Sequence, residues 1–190
     1  MVVSRPDALK EIWRLHCGLP VLLRALQPTD FALHKQFLYN CSRASIYQRF
    51  FQVAEHPKVT DQQIARYTNF DRTRELAIVA VRHPAQDQEL GVVRLTQSEN
   101  GLAEFAVIVA DAWQRQGLGR KLVEKIMEVA AQRHVRSLQG YVLSDNKAML
   151  RLCHQLGFKV RWLMGEGVYQ VQIDLSASRP SLYGSSSCAK

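Results

Sequence analysis

The chain has 190 residues, 47% of them apolar, and 25 basic against 17 acidic side chains give it a formal net charge of +8. That length suits one domain with its own core, and the composition excludes a disordered chain. No apolar run approaches the roughly 20 residues that span a bilayer, and no apolar stretch of signal-peptide type follows the charged start at Arg5, Asp7, Lys10, Glu11 and Arg14. The positive charge suits an acidic partner, but no dense Lys/Arg run or aromatic-interleaved basic stripe marks a nucleic-acid face. Cys17, Cys41, Cys153 and Cys188 lie far apart without a CxxC pair, and the six histidines show no metal-ligand spacing. Reduced thiols, no metal, no membrane association and a cytoplasmic location are the expectations.

Residues 1–19 place Leu9, Ile12, Trp13 and His16 at helical spacing and are expected to form a lead-in helix or linker. Pro20 to Leu26 reads as a first strand, with Pro20 at its edge. Asp30 follows Pro28-Thr29 as an N-cap, and the helix it opens turns Phe31, Leu33, Phe37 and Leu38 inward. Tyr47-Gln48-Arg49-Phe50-Phe51 is a dense aromatic knot, by default core, with Arg49 able to face a cleft. Thr60 and Gln63 form a capping box at the start of a short helix.

Glu75 to Arg82, Glu89 to Thr96 and Ala103 to Val109 are three strands with short connections, the pattern of an antiparallel meander. After Gly119 an apolar stripe of Leu118, Leu122, Ile126, Val129 and Ala130 marks a long helix. Leu138 to Leu143 then returns parallel to the third strand of the meander. Asp145 or Asn146 caps a further helix that ends at Gly157. Phe158 to Met164 and Val168 to Leu175 are a closing pair, and residues 177–190, rich in serine, are expected to be a disordered tail.

The segment from Ala103 to Gly119 concentrates the chemistry. An apolar strand containing a single carboxylate, Glu104, runs into a short connection and then a glycine-bearing helix start. Free N–H groups and the helix dipole make such a start an anion site, and glycine removes the Cβ that would block approach. Gln114, Arg115 and Arg120 add donors at its rim. The P-loop pattern is absent, and the dinucleotide fingerprint fails because Leu122 stands where its third glycine belongs. What remains is V-x-V-x-x-x-x-Q-x-x-G-x-G, carried by Val107, Val109, Gln114, Gly117 and Gly119.

This pattern resembles motif A of the GNAT superfamily of N-acetyltransferases, and the order of elements over residues 20–176 is similar to that fold. The resemblance implies an α/β (α+β) domain: a mixed, mostly antiparallel sheet of about seven strands flanked by about four helices. It implies acetyl-CoA as co-substrate. The pantetheine arm would pair with the backbone at Val107 and Val109. The pyrophosphate would lie on the loop of Gln114, Arg115, Gln116, Gly117, Leu118, Gly119 and Arg120. Asn146 would contact the pantetheine or organise water; as a residue opening a helix it reads equally as an N-cap. A closer likeness is to the acetyltransferase domain of bacterial Pat-type protein-lysine acetyltransferases. It is carried by Arg24 with Pro28 and Asp30, Tyr47 to Phe51, Asp71 to Glu75, Ala103 to Val109, and Asn146 with Leu156-Gly157-Phe158.

A lysine amine, with a pKa near 10.4, is almost wholly protonated at neutral pH and needs a base before it can attack a thioester. Glu104 stands where the Pat-type domains carry their catalytic glutamate, and burial in an apolar strand would raise its basicity. The competing reading is a buried salt bridge to Arg94 on the neighbouring strand. Cys153 occupies the position at which many members of the superfamily have a tyrosine that protonates the leaving thiolate. It could pack inertly, or carry the acetyl group with His154 as its base. The partner would be a protein acceptor with a reactive lysine, on a monomer or homodimer. A small amine as acceptor, or a non-catalytic acyl-CoA-binding regulator, are the other readings.

Overall fold

In a computed structural model, residues 9–51 and 59–176 are described. Eight strands form one sheet: β1 (Glu11–Arg14), β2 (Pro20–Ala25), β3 (Glu75–Arg82), β4 (Glu89–Gln97), β5 (Leu102–Val109), β6 (Ser137–Leu143), β7 (Lys159–Leu163) and β8 (Val168–Asp174). Their spatial order is β1-β2-β3-β4-β5-β6-β8-β7. Every neighbouring pair is antiparallel except β5 and β6. Five α-helices accompany the sheet: α1 (Phe31–Asn40), α2 (Arg43–Phe50), α3 (Asp61–Thr68), α4 (Leu118–Gln132) and α5 (Lys147–Gln155). The expected mixed fold is therefore present, with one more strand and one more helix than the sequence suggested.

The additional strand corrects the reading of the N-terminus. Residues 11–14 are extended and pair with β2, Ile12 lying opposite Leu22 and Trp13 opposite Val21. Three apolar residues and a histidine over eight positions satisfy a helical period only loosely, and Ile12 and Trp13 are β-formers beside an open sheet edge. Trp13 packs inward while Ile12 stays exposed. Lys121 and Lys125 of α4 both reach Glu11, which ties this edge to the helix behind it. The extra helix is α2, which absorbs the aromatic knot at 47–50. Ser42 caps it through Ser45 N–H, and Phe51 stops it in a left-handed conformation at φ 56°.

Period-two alternation divides the apolar residues between two cores. On one face Leu23, Ile78, Val93 and Phe105 pack against Leu122, Ile126 and Val129 of α4 and Cys153 of α5. On the other, Leu22, Val79, Val92 and Ile108 pack against Phe37, Ile46 and Ile64 of α1, α2 and α3. The Thr60–Gln63 capping box forms as expected, and Asn146, rather than Asp145, caps α5. The expected tail at 177–190 lies outside the described residues.

Candidate active site

The parallel pair that positions the site is short. β5 and β6 are in register only from Leu102 to Glu104 and from Ser137 to Gln139, after which the strands part. Phe105 stands at the fork. A Cβ on Gly140 would come within 2.9 Å of the Phe105 ring and 3.1 Å of its carbonyl oxygen. Glycine at 140 therefore lets the Phe105 ring lie over β6 in the core, where it also packs on Phe158 with ring centroids 5.3 Å apart. Beyond the fork lies a cavity of about 620 Å³, walled by β5 from Glu104 to Val109, by β6 from Gly140 to Val142, by α2, and by the start of α4. The unpaired edges of two diverging strands leave backbone N–H and C=O groups facing one space, which a linear amide-bearing chain can satisfy.

At one end of this cavity the chain turns from β5 into α4. Ala110 N–H still donates to Leu90, Trp113 N–H closes a turn onto Ala110, and Gln114 Nε2 donates to Val109 O at 3.1 Å and Ser45 Oγ at 3.0 Å. Asp111 accepts from the Ser42 amide at 2.8 Å, the Ser42 hydroxyl at 2.6 Å and the Ser45 hydroxyl at 2.9 Å. Burial alone would raise the Asp111 carboxyl, but these serine donors hold it below the usual carboxylate range. Arg115, at φ 58°, and Gly117, at φ 82°, bend the chain into α4. The first turn of that helix brings N–H groups without intrahelical partners, and the positive end of its dipole, to the cavity.

The expected loop residues divide here. Arg115, Gly117, Gly119 and Arg120 line the cavity together with Val107, Val109, Gln114 and Asn146. Arg120 also reaches Gln155 at 2.7 Å and Glu124 at 3.3 Å. Gln116 and Leu118 direct their side chains elsewhere. Gln116 Oε1 accepts from Cys17 N–H at 3.0 Å and its carbonyl from His16 N–H at 3.2 Å, while Leu118 is 1% exposed in the core.

Gly117 has a reason to be glycine beyond the one the sequence suggested. Its conformation is left-handed, and an added Cβ would sit 2.6 Å from His16 Nε2 and 3.1 Å from Trp13. The close approach is made by the N-terminal hairpin, which props the loop from outside. Gly119 is the open position: an added Cβ would meet only Leu152 and Val109, both at 3.9 Å.

At the other end of the cavity stands Glu104. The expectation of a buried carboxylate is corrected, because alternation places Glu104 on the cleft side of β5, where it is exposed. Any role as a base rests on position and not on desolvation. Nor does it pair with Arg94. That guanidinium bonds Glu75 at 2.9 Å and the Tyr67 carbonyl, and no hydrogen bond or ion pair among the described residues engages Glu104. Asp71 is committed to the Thr73 amide and hydroxyl, at 2.9 and 2.6 Å. Asn146 Oδ1 accepts from Met149 N–H at 3.0 Å, so it is an N-cap that also lines the cavity. Cys153 is fully buried against α4 and the sheet, and burial pushes its thiol up to about 12, which suits inert packing. The sequence did not point to Ser45, Gln63, Tyr67 or Tyr141 as cavity residues; they come from separate segments with no shared spacing.

A cleft between parting parallel strands, with a helix start at one end and an exposed carboxylate at the other, has the shape and donors to accept a phosphate-bearing chain at one end and a second substrate at the other. Residues 21–159 match the acetyltransferase (GNAT) domain family. An acetyltransferase of Pseudomonas aeruginosa is 30% identical over 143 residues, covering 74% of this chain and 76% of that one. The crystal structure of the GNAT domain of S. lividans PAT superposes with a TM-score of 0.81 at 24% identity, over 90% of this chain and 99% of that one. RimL, a ribosomal L7/L12 α-N-protein acetyltransferase solved with coenzyme A, superposes with a TM-score of 0.67 at 16% identity, over 86% and 98%. The chain belongs to the GNAT acetyltransferase family and is an acetyl-CoA-dependent N-acetyltransferase. Among the described residues no helix is long and apolar enough to cross a membrane, and no group of three or more potential ligands could hold a metal.

Proposed function

We propose that this enzyme acetylates a lysine ε-amine of a protein by direct transfer from acetyl-CoA, with Glu104 taking the amine's proton. The observation that carries this reading is an exposed carboxylate in the cavity wall, uncommitted among the described residues, on the strand whose later residues line the same cavity. A positioned base of this kind removes the proton that blocks the amine lone pair. The parting edge of β5 at Val107 and Val109 would hold the pantetheine, and the first turn of α4 the pyrophosphate, with Arg115 and Arg120 at the rim. Asn146 keeps its amide N–H₂ for a bound water or the pantetheine. Cys153 is too deeply packed to carry the acetyl group. The likeness to the S. lividans PAT domain and the Pat-type positions from Arg24 to Phe158 support a protein acceptor.

The test is a labelled acetyl-CoA assay on lysine-containing proteins and peptides beside polyamines and amino acids, with the acetylated atom located by mass spectrometry. Label on a lysine Nζ is the expected result. Transfer to small amines alone would replace the protein acceptor with a metabolite, and transfer to a protein's N-terminal amine would move the reaction from the ε- to the α-nitrogen.

A further inference from the structure

Guanidinium groups and aromatic rings alternate along the wall formed by α2, α3 and β4. Arg49 lies 4.7 Å from the centroid of Phe50, which stacks on Tyr67 at 5.6 Å. Arg94 lies 5.6 Å from the Tyr67 ring and 4.6 Å from Phe70, and Arg72 lies 5.4 Å from the other end of this run at Phe70. Two of the three cations also have oxygen partners. Arg94 bonds Glu75 and the Tyr67 carbonyl, and Arg72 donates to Leu26 O at 3.1 Å. The Arg49 side chain has neither a hydrogen bond nor an ion pair among the described residues, and of the three cations it alone faces both the cavity and the small void beneath it.

An unpaired cation held partly out of water is costly, and proteins ordinarily supply it with an anion. Desolvation draws the Arg49 guanidinium below its ordinary value, to about 10, against the opposing influence of Tyr67 and Glu104, so it stays charged at neutral pH. Its place along α2 indicates which substrate could supply the anion. Ser45 touches the loop through Gln114, and Arg49 lies four residues further along the helix, about 6 Å away from the loop on the side of Glu104. The charge of Glu104 also acts on Arg49, which sets this guanidinium on the side of the proposed base and a helical turn away from the loop.

We infer that Arg49 receives a carboxylate of the acceptor, so that the substrate is an amine with an acid group close by, such as a lysine flanked by glutamate or aspartate. This rests on the reading that the acceptor enters beside Glu104, whatever kind of molecule carries the amine. The planar fork of Arg49 matches a carboxylate through two parallel hydrogen bonds. Once formed, that pair orients the amine toward Glu104 and neutralises a charge that would otherwise repel an ammonium group. The net charge of +8 draws acidic partners to the whole molecule, and Arg49 gives that attraction a point of contact.

Two matched acceptor pairs test this: lysine peptides with glutamate or glutamine on both sides of the lysine, and β-alanine against β-alaninamide. Steady-state kinetics and calorimetric binding to the CoA-saturated enzyme are measured for wild type, Arg49→Gln and Arg49→Lys. The acid-bearing member should be favoured about tenfold by wild type, mainly in KM. Arg49→Gln should abolish that preference and Arg49→Lys restore part of it, with acetyl-CoA affinity unchanged and melting temperature unchanged or raised. No preference in wild type, a preference that survives Arg49→Gln, or weakened acetyl-CoA binding in that variant would each overturn the assignment. If only the small amines react, the protein acceptor is lost, and Arg49 is judged on the β-alanine pair. If nothing turns over, the binding measurements decide.

Discussion

At the loop end of the cleft, Gln114, Asp111 and Gln116 commit their polar atoms to the protein itself; at the opposite end, no hydrogen bond or ion pair among the described residues engages Glu104 or Arg49. The loop end is built from backbone direction, fixed by side chains that bond inward and by a hairpin packed behind Gly117. On the proposed reading it would bind the pyrophosphate in the same way whatever the acceptor is. The opposite end is built from charged side chains waiting for a partner. On the proposed reading, the braced end would hold the co-substrate and the end with uncommitted charges would select the acceptor.

If that contrast holds, changes at the two ends should separate cleanly. The largest effect is expected at Glu104. Replacement by glutamine should lower turnover by about 10²–10⁴-fold, roughly 3–5 kcal/mol of barrier, and leave acetyl-CoA affinity almost untouched. The two loop glycines come next, compared as alanine variants by thermal melting and calorimetry. Gly117→Ala should cost about 1–2 kcal/mol of stability from its left-handed backbone and push the His16 ring outward, weakening acetyl-CoA binding as the loop shifts. Gly119→Ala sits in helix geometry with room for a methyl group, so stability should hold or rise while the methyl narrows the cavity and lowers affinity. Equal stability losses at both would remove the bracing role of the hairpin.

Gly140→Ala probes the fork between the two ends. The new methyl group must displace Phe105, and about 1–3 kcal/mol of stability should be lost, read as a lower melting temperature. The smallest effect concerns Asp30, which is bonded twice by Arg24, at 2.6 and 2.9 Å. Burial works to raise this carboxyl, but the Arg24 guanidinium and the Gln27 amide hold it below the usual range. Its folded-state value therefore lies below the unfolded value of about 3.9. The stabilisation is complete above that unfolded value and is lost as pH falls through the lower folded one. Asp30→Asn should melt earlier than wild type at neutral pH, and the gap should close below about pH 4.

How far the sequence could be read follows the same division. The loop end was legible because it depends on a fixed spacing along one segment, Val107 to Gly119, and the meander and crossover before and after it follow from period and length. Two things in or just before that segment were hidden. Alternation turned Glu104 toward the cleft, so it is exposed where an apolar strand suggested burial. Gly117 answers to His16 and Trp13, a hundred residues away in a stretch whose loose helical spacing concealed a strand. The amine end was legible only in pieces, Glu104 as a base and Arg49 as a residue able to face a cleft, and for a plainer reason. Arg49, Tyr67, Arg94 and Glu104 come from four elements, and only the folded sheet brings them to one wall. The pairing of Arg94 with Glu75 and not with Glu104 is a matter of geometry that no spacing records.

The most direct test of the central claim, that Glu104 takes the proton of the acceptor amine, is the pH–rate profile of Glu104→Gln beside wild type, with acetyl-CoA affinity and melting temperature measured on the same samples. If Glu104 is the base, the turnover deficit will be deep at neutral pH and shrink as pH rises, because the amine then arrives deprotonated, with affinity and melting temperature unchanged. Full activity of Glu104→Gln at neutral pH, or a deficit that ignores pH and travels with lower stability, would contradict it.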